Sequence, residues 1–169
     1  GNNGSAFAHK LGAMEVKVLA HDKYKSGYAS DGVEECTGLE RIYAEADIIS
    51  FHLPLTEETL HYFNDSFLEK MQKPFVLLNL SRGSIVAQSS LCKGMKSGKV
   101  KAAALDVWEQ EPVSKMQGAQ REEYKELITM PNFIGTPHIA GYTLQALYKM
   151  SRFLAEKITL AAGAGAFGK

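Results

Sequence analysis

The sequence predicts an α/β fold built on a parallel sheet. Strand-like and helix-like segments alternate from one end to the other. The run FVLLNLS is apolar over strand length, as in a strand covered on both faces. The strand-like runs also stop at turn-forming or polar residues, so each ends at a defined edge.

The elements follow in order. SAFAHKL reads as a helix, with Ala6, Ala8 and Leu11 apolar among polar positions. VKVLAHD reads as a strand ending at Asp22. GLERIYAEA is a short helix, and DIISFHLP a buried strand stopped by Pro54. NDSFLEKM is a helix with Asn64 as its N-cap. FVLLNLS is the next strand, and QSSLCKGMKSG a helix terminated by Gly98. KAAALDV is a strand. Residues 109–131 are polar and irregular, with a short helix near EEYKEL. NFIGTP reads as the last strand. From Thr143 to about Ala162, Leu144, Leu147, Met150, Phe153, Leu154 and Ile158 recur at helical spacing, which gives a long amphipathic helix.

The 169 residues are 45% hydrophobic and 22% charged, an ordinary globular mixture with room for a core. A formal net charge of zero gives no bulk attraction to nucleic acid or an anionic membrane. No apolar run approaches transmembrane length. Cys36 and Cys92 have neither disulfide-framework nor metal-ligand spacing, and no metal site is expected. Reduced thiols fit a cytoplasmic protein. The abrupt GNNG start and the AAGAGAFGK end suggest a fragment: residues 1–160 as one domain, and 161–169 as a disordered or non-native tail.

Gly1-Asn2-Asn3-Gly4 fits the second and third glycines of a G-x-G-x-x-G dinucleotide fingerprint. Alone, GxxG before a helix is no more than a glycine-rich turn. Asp22 adds to it, because it lies 18 residues after Gly4 at the end of the next strand. There an acidic residue hydrogen-bonds the adenosine ribose hydroxyls. A carboxylate repels a 2′-phosphate, so NAD is expected over NADP; Lys23 and Lys25 close by work against that preference. The sheet is then a doubly wound, Rossmann-like one lacking its first strand.

Three polar residues follow later strands. Arg82, in SRG, presents a fork of donors matched to a carboxylate or keto-acid. Glu111 precedes Pro112 in DVWEQEP; a carboxylate bonded to an imidazole orients the ring and favours its protonated form. His138 follows Thr136-Pro137, and histidine is the usual acid/base near neutral pH. Taken singly, each has a plainer reading as a solvated strand-end or loop residue. His9 is expected on the surface and His52 in packing or hydrogen bonding.

LNLSRG, then ALDVWEQEP, then TPHIAG, in this order, resemble the NAD-dependent D-2-hydroxyacid dehydrogenase family, and within it the phosphoglycerate and glycerate dehydrogenases. The resemblance covers roughly residues 1–155. It implies an oxidoreductase that uses NAD on a small 2-hydroxy or 2-keto acid. Arg82 would bind substrate, His138 would be the acid/base, and Glu111 its partner. It further implies that Asn2 and Asn3 reach the pyrophosphate, and that Leu53, Pro54 and Thr59 lie along the cofactor. Leu80, Ser81, Ala140 and Gly141 would approach the nicotinamide half, and Asp106 would hold its carboxamide. A homodimer paired through this domain is implied as well. Ala87-Gln88 departs from the acidic pair of many relatives, which could disturb local helix capping. By this resemblance the family's substrate domain and the first strand of the coenzyme domain would be missing from the sequence. On that basis the strands at 16–21 and 75–80 are expected to expose unpaired edges, and the isolated chain to be poorly stable and without turnover. Two competing readings are an NAD(H)-sensing, corepressor-like binding module on the same fold and an unrelated Rossmann-like enzyme.

Overall fold

The structure, a computed structural model, describes residues 1–30 and 32–163. Two compact units divide the chain, Gly1–Pro137 and His138–Lys169.

The first unit opens with α1 (Asn2–Gly12), which starts at Gly1. Asn2, Asn3 and Gly4 therefore form the first helical turn, three residues earlier than the sequence reading placed the helix. β1 (Val18–Ala20) pairs in parallel with β2 (Val33–Glu35). α2 (Glu40–Glu45) leads to β3 (Ile48–Phe51). α3 (Asp65–Lys70) is capped by Asn64, whose side chain accepts from the Phe67 amide at 3.0 Å. β4 (Phe75–Asn79), α4 (Gln88–Lys96) and β5 (Val100–Leu105) follow. Gly98 takes a φ of 74° just beyond α4, the left-handed geometry its lack of a Cβ permits. α5 (Gly118–Thr129) and β6 (Phe133–Gly135) complete the unit.

β3, β4, β5 and β6 form one parallel sheet in that order. Phe51 pairs with Asn79, Asn79 with Leu105 and Leu105 with Gly135, so the four C-terminal ends lie level. β1 and β2 form a separate two-stranded sheet, and among the described residues no ladder joins β1 to β3. Among the described residues β1 and β3 each have one side without a ladder partner. The expectation that the strand at 75–80 is an edge is corrected, because β4 pairs on both sides. The cause is β2. Its three residues, Val33-Glu34-Glu35, carry too little apolar pattern to read as a strand, and missing it shifted the strand count by one.

The core combines aromatic clusters with buried aliphatic side chains. Phe63 packs 5.5 Å from Phe67 and 6.3 Å from Phe75, ring centre to ring centre. Leu77 and Val100 on the strands, and Ile85, Leu91 and Leu127 outside them, are fully buried. Trp108 meets Tyr124 edge-on at 4.7 Å. Together with buried Leu127 this contact anchors α5, which is longer than the short helix expected near EEYKEL.

In the second unit, the Thr143 hydroxyl accepts from the Ala146 amide at 3.0 Å and caps α6 (Leu144–Gly163). The helix matches the amphipathic pattern of the sequence. It takes in residues 161–163 of the expected tail; residues 164–169 lie outside the described residues. No helix among the described residues is long and apolar enough to cross a membrane.

Candidate active site

The loops leaving β4 and β5 are built against each other. Asn79, fully buried at the end of β4, folds the turn behind it. Its side-chain amide donates to the Arg82 carbonyl at 2.9 Å, and its carbonyl oxygen accepts from the Ser81 amide at 3.1 Å. The Ser81 hydroxyl donates to the Phe51 carbonyl at 2.6 Å, which ties this turn to the end of β3. The Asp106 amide donates to the Asn79 carbonyl, linking it to β5. Arg82 itself is exposed, with Nη1 donating to the Ser81 carbonyl at 2.6 Å.

Gly83 fixes the spacing of the two loops. A Cβ at this position would lie 1.8 Å from the Trp108 carbonyl oxygen and 1.9 Å from its carbon. No side chain fits between these backbones, so the Arg82 and Trp108 segments touch directly. Three residues on from Trp108 stands Glu111, whose Oε1 accepts from the Trp108 amide at 2.9 Å. That bond folds the acidic loop back on its own strand end.

Glu109 is a part of the site that sequence reasoning missed. One carboxylate oxygen is 2.7 Å from His61 Nε2; the other accepts from the Gln88 amide at 2.8 Å. Its carbonyl accepts from the Ser84 hydroxyl at 3.2 Å. A loop carboxylate therefore caps the first turn of α4, where no local side chain does so. It supplies the capping that the Ala87-Gln88 departure was expected to disturb. Residues 21 positions or more apart make this cluster, and no local motif announces it.

Asp106 is buried and accepts from the Thr136 hydroxyl. The Trp108 indole N–H donates to the Thr136 carbonyl at 3.3 Å, so the end of β6 is bound to the β5 loop as well. Arg82, Asp106 and Glu111 all belong to the first unit. His138, Ala140 and Gly141 belong to the second. His138 has a φ of 57°, in the left-handed region that a histidine seldom adopts, and the Tyr142 amide donates to the Ile139 carbonyl at 2.8 Å. The segment after Pro137 is thus a tight turn that leads into α6.

The dinucleotide candidates of the N-terminal segment gather around the end of β3. Gly4 lies against His52: a Cβ there would come to 3.1 Å from the His52 Cβ. The start of α1 is therefore tucked closely onto the end of β3, and its first turn carries no acidic side chain to compete with an anion. His52 is held by Ser50 Oγ at 3.0 Å and by the Phe7 ring, in the packing role expected of it. Burial pushes its imidazole below the ordinary value of 6.5. Asp22 Oδ1 accepts from the Tyr24 and Lys25 amides at 2.9 and 3.1 Å. The Tyr24 bond is the main reason its carboxyl is held below the usual range. Thr59 closes the loop after β3: its hydroxyl donates to the Pro54 carbonyl at 2.6 Å and accepts from the Thr56 amide. These residues fit a dinucleotide: a closely packed helix start for the pyrophosphate, and an ionised carboxylate one strand away for the ribose.

This fold and strand-end arrangement define a nicotinamide dinucleotide-binding domain. Residues 1–140 match the D-isomer specific 2-hydroxyacid dehydrogenase NAD-binding domain, and the chain belongs to that family. Hydroxypyruvate reductase of Thermotoga maritima is 35% identical over 158 residues, which are 94% of this chain and 49% of that protein. The NAD complex of a D-isomer specific 2-hydroxyacid dehydrogenase from Lactobacillus delbrueckii ssp. bulgaricus superposes with a TM-score of 0.84 at 32% identity, covering 96% of this chain and 51% of that one. The NADPH-dependent glyoxylate/hydroxypyruvate reductase of Sinorhizobium meliloti, in complex with NADP and sulfate, has a TM-score of 0.82 at 27% identity, covering 98% and 50% of the two chains. The chain spans about half the length, or less, of the curated relatives it matches.

Proposed function

We propose that this chain is the coenzyme-binding part of an enzyme that interconverts small D-2-hydroxy acids and 2-keto acids. The observation that carries the reading is the level edge of the sheet. Asn79, Leu105 and Gly135 pair across three adjacent parallel strands, and Arg82, Glu111 and His138 follow those three strand ends in sequence. Ligands of doubly wound sheets bind at that edge.

In this reading Arg82 grips the substrate carboxylate and keto group with its guanidinium fork. His138 takes the proton of the substrate hydroxyl during oxidation and returns it during reduction. Glu111 orients the His138 imidazole. Bound NAD supplies the acceptor for the hydride that leaves the substrate's C2 carbon. Asp106 holds the carboxamide end of the cofactor, and Leu80, Ser81, Ala140 and Gly141 surround its nicotinamide half. Asn2, Asn3, Leu53, Pro54 and Thr59 serve the pyrophosphate and adenosine portions. A cytoplasmic homodimer, paired through this domain, belongs to the same reading.

The test is turnover by the full-length protein with reduced nicotinamide cofactor and a panel of 2-keto acids, followed at the nicotinamide absorbance band. Arg82→Ala is expected to raise KM for the keto acid at least about tenfold, the scale of one lost charged hydrogen bond. NAD affinity should stay within about twofold, since that interaction is not with the cofactor's phosphates. Cofactor binding without turnover on any acid would favour the NAD(H)-sensing module instead.

A further inference from the structure

We infer that Glu58 makes this dinucleotide site selective for NAD over NADP by tying up Lys23, the cation next to Asp22 in the chain, which could otherwise receive a 2′-phosphate. The inference rests on the dinucleotide reading above. The fold does not choose between the two cofactors, so the choice lies in side chains around the ribose position. Asp22 disfavours a phosphate there, whereas Lys23 and Lys25, next along the chain, favour it.

The structure shows what becomes of Lys23. Its Nζ lies 2.9 Å from Glu58 Oε2, on the loop that follows β3. The Tyr24 hydroxyl donates to the same oxygen. The Lys23 ammonium also stands 5.4 Å from the centre of the Tyr24 ring. Glu58 therefore gathers both residues that follow Asp22. Hydrogen bonds from Tyr24 and then Lys23 hold the Glu58 carboxyl below its usual range, so the group is ionised at neutral pH.

The turn beneath them is built to keep this geometry. Besides the two amides bound to Asp22, the Gly27 and Tyr28 amides donate to Glu35 Oε2 at 2.8 and 3.1 Å. The Tyr28 hydroxyl accepts from the Asp22 amide at 3.0 Å. Residues 22–28 thus have a defined path, and Lys23 projects toward the β3 loop.

At this turn Asp22, Glu35 and Glu58 stand against Lys23 and Lys25. Removing the Glu58 charge makes this group one unit less negative and frees the Lys23 ammonium for phosphate. The Lys23–Glu58 pair is exposed on both sides, so it contributes little to folding and can be changed without disturbing the scaffold. A dianionic phosphate responds to the change because it interacts with every charge within a Debye length.

The experiment is calorimetric titration of the full-length protein with NAD+ and NADP+ at low salt, repeated for Glu58→Gln and for Glu58→Gln combined with Lys23→Ala. Glu58→Gln is expected to bind NADP+ about fivefold tighter, from one unit charge acting on a nearby dianion in a solvent-like dielectric. Its NAD+ affinity should stay within about twofold, and adding Lys23→Ala should remove the gain. A ratio of the two affinities that does not move in Glu58→Gln overturns the inference, as does a gain that survives loss of Lys23. Failure of the unaltered protein to bind NAD+ at all overturns the dinucleotide reading, and the inference falls with it.

Discussion

Asp22 Oδ1 is occupied by two backbone amides, and the turn that results is what aims Lys23 at Glu58. From sequence, Asp22 could be placed by its distance from Gly4, but Glu58, 36 residues further on, carried no sign of a partner. Gly83 is the same kind of residue. It reads as an ordinary loop glycine, yet the Trp108 backbone occupies the space a methyl group would need. Gly83→Ala is expected to lower unfolding free energy by about 3 kcal/mol, read from urea midpoints, because backbone and not a flexible side chain must give way. His52 sets a pH limit. Burial depresses its folded-state value below 6.5, so the imidazole is neutral in the folded protein where an unfolded one would begin to charge. The unfolded chain then binds more protons, and stability falls as pH drops below 6.5, being fully present above it. Urea midpoints measured from pH 7.5 down to 5.5 should show that decline, and His52→Gln should flatten it.

At the scale of elements, long apolar runs and clear caps were legible. β4, β5, α4 and α6 follow directly from FVLLNLS, KAAALDV, QSSLCKGMKSG and the helical spacing after Thr143. Asn64 was readable because an N-cap acts within three residues. Replacing it with Ala should cost about 1 kcal/mol of stability by chemical denaturation. β2 was not readable: two of its three residues are glutamates, and its ladder with β1 supplies what its composition lacks. The first half of α5 was hidden for a related reason. Gly118-Ala119-Gln120-Arg121 has no apolar stripe, and the helix is held further along by Tyr124 and Leu127. Of the candidate site, the positions of Arg82, Asp106 and Glu111 just beyond β4 and β5 were legible from the strand-like runs before them. The network of Glu109, His61 and Gln88 was not, since its members come from three different strand connections.

At the scale of the whole molecule, the edges of β1 and β3 have no ladder partner among the described residues, nor do the outer edges of β2 and β6. Ile48 opens the β3 edge and is 60% exposed. Parallel edges with apolar side chains recruit other strands. Ile48→Lys is therefore expected to reduce concentration-dependent light scattering of the 169-residue chain while leaving its circular dichroism unchanged. The direct backbone contact between Gly83 and Trp108 reaches further, into redesign. Loop exchange is a common way to alter what an α/β enzyme accepts, and it normally treats each loop as a module. Here the turn bearing the guanidinium and the turn bearing the acid share one wall with no side chain between them. A transplant of residues 79–84 without 106–111 would set a foreign main chain against that wall, so the two segments have to travel as a single cassette.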